Sequence, residues 1–175
     1  MSAGTDTAPR IELRPATLAD IEAMWALRTR CVREVCRSHY PPAVIETWAA
    51  SPVPATFPQF IASGGGVLAE DAGGRVLGFG MVDLAGSEID GLFVAPDAHG
   101  GGLGRRLLQA IEAKLVPGAR IHLAAALNAV AFYRAQGYAV LREGSYAHPS
   151  GIALACVYME KHPEPAHATL PQAAG

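Results

Sequence analysis

The stretch "DAHGGGLGRRLLQAIEAKL", residues 97–115, sets four glycines into five positions and then turns into an amphipathic repeat. Glycine costs backbone entropy on folding, so a cluster this dense requires a reason. Leu103, Leu107, Leu108, Ile111 and Leu115 recur at helical spacing and Pro117-Gly118 supply a stop, so a helix begins near Gly102. The preceding "EIDGLFVAP" (88–96) reads as a strand. Strand, glycine loop and helix N-terminus in succession offer unpaired amides and a partial positive charge. Arg105 and Arg106 occupy the first turn, where acidic residues ordinarily complement the dipole, and two cations there cost stability unless an anion balances them. The loop therefore reads as a pyrophosphate cradle. The bland alternative is a glycine-rich turn with incidental arginines.

Outward from this stretch the chain alternates. "IELRPAT" (11–17) reads as a strand and "TLADIEAMWALRTRCVREVC" (17–36) as a helix, capped by Thr17 or Asp20, with Ile21, Met24, Trp25, Arg28 and Val32 on one stripe. "HYPPAVIETWAAS" (39–51) starts with a Pro-Pro break and continues at helical spacing, and "SPVPATFPQFI" (51–61) reads as a proline-rich connector. "GVLAED" (66–71) and "RVLGFGMVDL" (75–84) are strands about a "DAGG" turn. Beyond the central helix, "ARIHLAAAL" (119–127) reads as a fully buried strand and "NAVAFYRAQGY" (128–138) as a short helix ending at Gly137. "VLREGSYA" (140–147) and "IALACVYMEK" (152–161) close the sheet. A strand, two helices, three strands and then alternation predict an α/β fold on a mixed sheet of six or seven strands. Small or Pro/Ala-rich residues 1–10 and 163–175 read as flexible tails around one domain spanning 11–162.

Composition narrows the function classes. Of 175 residues, 50% are hydrophobic and 17% charged, with a formal net charge of -2, so there is no basic surface for nucleic acid or anionic lipid. Apolar runs such as "IALACVYM" are too short to span a bilayer, and the N-terminus lacks a signal pattern. Cys31, Cys36 and Cys156 form no CxxC and favour a reducing, cytoplasmic setting. Six scattered histidines show no metal spacing, so no metal is expected. His122 reads as a satisfied core histidine and Cys156 as an inert buried thiol. Trp25 and Trp48 read as core positions.

Two phosphate motifs fail on specific residues. No Lys-Ser or Lys-Thr follows Gly104, as a P-loop requires. A dinucleotide fold requires glycine where Arg105 stands and an acid where the next strand ends in Asn128. Glu88 and Asp90 lie two apart on one strand, so both carboxylates should share a face.

The loop "HGGGLG" (99–104) resembles the acyl-CoA pyrophosphate loop of the GNAT superfamily of N-acyltransferases, Gln/Arg-x-x-Gly-x-Gly/Ala, with His99 in the first position. "LFVAPDAH" (92–99) is similar to that family's strand-to-loop segment, and "NAVAFYRAQGY" and "YMEK" to its later motifs. The likeness runs over residues 11–161, in order. It implies a mostly antiparallel mixed sheet with helices on both faces and a V-shaped split between the fourth and fifth strands. It implies acetyl-CoA as co-substrate, its pantetheine paired to the backbone of Leu92, Phe93 and Val94. The pyrophosphate would meet His99, Gly100, Gly101, Gly102, Leu103, Gly104, Arg105 and Arg106, with Asn128 and Phe132 completing the cofactor contacts. Tyr133 fits the family's general acid, and the base falls on Glu88, whose offset fits best, or Asp90. Tyr40 and Trp48 would line the pocket of an amine acceptor, a small molecule or a peptide, and homodimers are common in the family. The competing expectations are a non-catalytic acyl-CoA-binding module and a nucleotide binder.

Overall fold

The structure is a computed structural model that describes residues 9–162. Alternating and β-branched stretches form seven strands: β1 (Glu12–Pro15), β2 (Gly66–Glu70), β3 (Val76–Asp83), β4 (Glu88–Val94), β5 (Ile121–Ala125), β6 (Ala139–Ala147) and β7 (Ala153–Lys161). The helices are α1 (Ile21–Glu34), α2 (Pro42–Ala49), α3 (Thr56–Ala62), α4 (Leu103–Glu112) and α5 (Val130–Ala135). The strands join in one sheet of order β1-β2-β3-β4-β5-β7-β6, antiparallel throughout except for the β4–β5 pair. The expected mixed sheet of six to seven strands is this one, with seven. The tails expected at 1–10 and 163–175 fall, apart from residues 9 and 10, outside the described residues.

Two helical layers sandwich the sheet. On one face Met24, Leu27 and Cys31 of α1 and Phe57 and Ile61 of α3 bury against Leu68, Phe79 and Met81. On the other, Leu103, Leu107, Leu108 and Ile111 of α4 meet Val67, Leu77 and Val82. Glycine in β3 sets how close α4 approaches: a Cβ at Gly80 would stand 3.0 Å from Ile111, tighter than ordinary packing tolerates. Ile111 is fully buried there, so Ile111→Ala is expected to cost roughly 2–5 kcal/mol, read from the urea unfolding midpoint. A third cluster gathers α2 (Ile45, Trp48) with Val32, Tyr40 and Leu154 over the far end of the sheet.

The 3-10 turn Leu18–Asp20 that leads into α1 is fixed by its neighbours. The Thr17 amide donates to the Asp20 carboxylate at 2.7 Å, as a capping box requires, and Arg14 grips the same carboxylate while reaching Glu70 of β2. Arg14 thereby holds Asp20 well below the usual carboxylate range.

Three expectations are corrected. The presumed connector at 51–61 contains α3: Pro58 is its third residue, where no intrahelical N–H bond is lost, and Phe57 and Ile61 anchor it one turn apart. Three helices thus precede β2, not two. The strand at 119–127 is not fully buried, because β5 alternates, and His122 is exposed opposite Glu88 and Glu160 rather than sealed in the core. Finally, α4 ends at Glu112, short of Pro117.

Candidate active site

The parallel β4–β5 pair makes the site by failing to stay paired. It holds register only at Glu88↔His122, with the His122 amide donating to Ser87 O at 3.1 Å. Beyond that point β4 stays bonded to β3 and β5 to β7, and the two inner edges separate. A cleft of about 820 Å³ opens between them, lined by Leu92, Phe93 and Val94 on one side and Ala124, Ala125 and Ala126 on the other. The V-shaped split expected between the fourth and fifth strands is present.

The four clustered glycines serve three different needs. Gly100 and Gly102 adopt φ of 88° and 76°, and Gly102 is the N-cap of α4. At Gly100, Gly101 and Gly102 a Cβ would meet nothing within 4 Å, so open space lies over that backbone. At Gly104 a Cβ would press 3.3 Å from the Phe132 ring, so this glycine serves packing between α4 and α5. The turn before the loop is pinned by Asp97, which takes Arg75 at 2.8 Å and Arg30 at 3.3 Å. Gly102, Leu103 and Gly104, at the N-terminus of α4 with its share of the helix dipole, line the cleft, a setting suited to an anion.

The structure separates the paired arginines. Arg105 lines the cleft, whereas Arg106 donates to Ile11 O at 3.3 Å. His99 lines the mouth and its Nε2 lies 2.9 Å from Val94 O. Asn128 enters from the turn before α5, and its Oδ1, an atom fully shut from solvent, has no hydrogen-bond partner among the described residues. A buried acceptor left unpaired in a cleft is the mark of a missing donor.

Tyr133, on α5, is buried beside Phe132 at 5.2 Å and Tyr138 at 5.6 Å. It lines the cleft, its hydroxyl bonds to nothing among the described residues, and burial raises its pKa above the ordinary phenol value. Asp90 belongs to the same cleft. Met81 pairs with Gly91 and Val82 with Ile89, so Asp90 is the extra residue of a bulge, a feature that re-aims a side chain. Asp90 lines the cleft; Glu88, at the paired base of the split, does not. Desolvation by the cleft walls, reinforced by the charges of Glu88 and Asp83, pushes Asp90 up to about 6, although its side chain keeps an exposed face to solvent.

Beyond this pair the cleft widens under α1, α2 and α3. Tyr40 and Trp48 both line it, stacked edge-on at 5.3 Å. The Tyr40 hydroxyl donates to Ala155 O at 2.7 Å and accepts from the Leu127 amide at 3.0 Å, tying β7 to the turn that carries Asn128. Burial pushes the Cys31 thiol up to about 12 and Cys36 up to about 11, and Cys156 is buried as well, which makes poor nucleophiles of Cys31 and Cys36. Among the described residues no group of three or more His, Cys, Asp or Glu could hold a metal, and no helix is long and apolar enough to cross a membrane. Sequence reasoning missed the cleft residues Phe57, Phe79, Tyr146 and His148. It placed Arg28 on an otherwise apolar stripe without asking why a charge belongs there.

The model of the acetyltransferase (GNAT) domain family matches residues 36–161. Searched against curated proteins, the chain matches none. A solved GCN5-related N-acetyltransferase from Rhodopseudomonas palustris superposes with a TM-score of 0.74 at 26% identity, covering 89% of this chain and 96% of that one. The PaiA N-acetyltransferase of Thermoplasma acidophilum, solved with coenzyme A, gives 0.66 at 17% identity over 88% and 99% of the two chains. The ribosomal-protein-S18-alanine N-acetyltransferase of Escherichia coli gives 0.59 at 18% identity over 92% and 99%. The last two likenesses concern the fold alone.

Proposed function

The chain belongs to the GNAT acetyltransferase family, and from that premise we propose that it transfers an acetyl group from acetyl-CoA to the primary amine of a small molecule or peptide, by direct attack within a ternary complex. The observation that carries this reading is the split at Glu88↔His122, which leaves the β5-facing edge of β4 beyond the bulge without a strand partner beside the N-terminus of α4.

The residues fit the co-substrate. Open space over Gly100–Gly102 and the first amides of α4 suit a pyrophosphate, Arg105 adds a cation, and the orphaned Asn128 Oδ1 awaits a donor. The β5-facing edge of Leu92, Phe93 and Val94, whose Val94 O is already met by His99 Nε2, suits an amide-bearing chain paired as an added strand. Bound acetyl-CoA supplies the activated acetyl thioester. The protein's part is alignment and proton management. The cleft walls hold amine and thioester together, which removes much of the entropic barrier. Asp90 takes the proton of the arriving ammonium, directly or through water, since only the neutral amine is a nucleophile. Tyr133 keeps its proton across the working pH range and delivers it to the departing sulfur.

Calorimetry with CoA, followed by thiol release from acetyl-CoA across an amine panel, tests the reading. Heat without thiol release for any amine would make the protein a binding module, and absence of heat would end the acyl-CoA reading altogether. Arg105→Ala is expected to weaken CoA binding roughly tenfold, a loss of about 1.4 kcal/mol, and Arg106→Ala less, because Arg106 is engaged at Ile11.

A further inference from the structure

Arg28 is a charged group almost sealed from water, 3% exposed, in the middle of the α1 stripe. Its Nη2 donates to Trp48 O at 2.8 Å and Ser51 Oγ at 2.9 Å, its Nη1 to Ala49 O at 3.2 Å, and its face lies 4.4 Å from the Trp25 ring centre. These acceptors sit at the C-terminal end of α2, whose dipole supplies only about half a negative charge. No carboxylate pairs with Arg28 among the described residues, and burial pulls its pKa down to about 10. A buried guanidinium without a full counter-charge is costly, and a helix end can be closed without one. Of its five N–H groups, Nε–H and one on Nη1 have no partner among the described residues, and Arg28 lines the cleft.

Two further donors converge on the same end of the cleft. His148 Nδ1 accepts the Ser150 amide at 3.2 Å and lies 2.7 Å from Ser150 Oγ; in the tautomer where Nδ1 accepts from both, the proton sits on Nε2, which has no partner among the described residues. Burial first, and Arg28 second, lower the His148 pKa and so disfavour the charged ring. The Tyr146 hydroxyl also lacks a partner among the described residues, and it lies within electrostatic reach of both Arg28 and Asp90. The wall between is apolar: Trp25, Phe57 and Phe79.

We infer that Arg28, with His148 and Tyr146, forms an anion subsite in the acceptor half of the cleft, so that the acceptor is an amino-acid-like zwitterion whose carboxylate meets Arg28 while its amine reaches Asp90 through water. The inference rests on the acetyltransferase reading for the role of the amine and on Arg28 for the carboxylate. An apolar or aromatic side chain suits the wall. A protein N-terminus, whose first carbonyl is an amide, offers no such charge.

The test compares L-phenylalanine, L-phenylalaninamide, phenethylamine and a Phe-Gly-Gly amide as acceptors, with leucine and its amide and amine as a second set, read by thiol release. The carboxylate compound is expected to lead each set at least tenfold in kcat/KM. Arg28→Gln and, separately, His148→Phe, which leaves the α2 contacts of Arg28 intact, should narrow that lead toward parity. Equal or better turnover of amide, amine or peptide, or an unchanged lead in both variants, overturns the proposal. If CoA binds but no amine is acetylated, the transferase reading falls. The subsite is then judged by calorimetry of the CoA-loaded protein with N-acetyl-L-phenylalanine against its carboxamide. At least tenfold tighter binding of the acid sustains it; equal affinity or absence of heat overturns it.

Discussion

Tyr133→Phe is expected to lower kcat roughly 10²–10³-fold while leaving CoA affinity unchanged, the loss belonging to one positioned proton donor. The side chain is built for this separation. Its ring packs between Phe132 and Tyr138 and would keep doing so as phenylalanine, while its hydroxyl serves nothing among the described residues. Removing the oxygen therefore costs little stability and leaves the walls in place. Burial disfavours the phenolate, so the proton is present at any working pH. Undiminished turnover in this variant would remove Tyr133 from the chemistry and leave it a packing residue.

Asp90→Asn should reduce kcat/KM about 100-fold at pH 8 and abolish the rising limb expected of the native protein near pH 6. Only the ionised carboxylate accepts a proton, so native activity climbs as pH passes the Asp90 pKa. Glu88→Gln should leave that limb in place. A limb that persists in Asp90→Asn and disappears in Glu88→Gln would transfer the role to Glu88. The same substitution carries a second signature. Folding raises the Asp90 pKa from the ordinary carboxylate value near 3.9 to about 6, so between those values the native state binds more protons than the unfolded one. Native stability contributed by this group is present at pH 4 and lost as pH rises toward 6 and beyond. The thermal midpoint of Asp90→Asn should therefore gain on the native protein between pH 4 and pH 7.

Much of the architecture was legible because local chemistry and tertiary demand agree. The leucine repeat from 103 to 111 names the buried face of α4, and the alternation in 76–94 names two central strands. Where they disagree, the reading failed. Prolines at 52, 54 and 58 masked α3, whose stability comes from burying Phe57 and Ile61 rather than from propensity. His122 sits amid apolar neighbours, but sequence cannot say that its alternate face is left in solvent where the sheet begins to open. Arg28 falls on an apolar stripe because its acceptors are twenty residues on, at Trp48 and Ser51.

The sequence by itself determined the phosphate-suited loop, the strand carrying two carboxylates, the tyrosine after Phe132 and the family they resemble, because each is a short run whose backbone behaviour is set by its own residues. Tertiary structure alone decided which of those groups share a cavity. A bulge opposite Met81 and Val82 turns Asp90 into the cleft and leaves Glu88 at its base, and a contact with Ile11 draws Arg106 away while Arg105 stays. Register, splay and side-chain direction depend on partners distant in the chain, and periodicity within one segment carries no information about them.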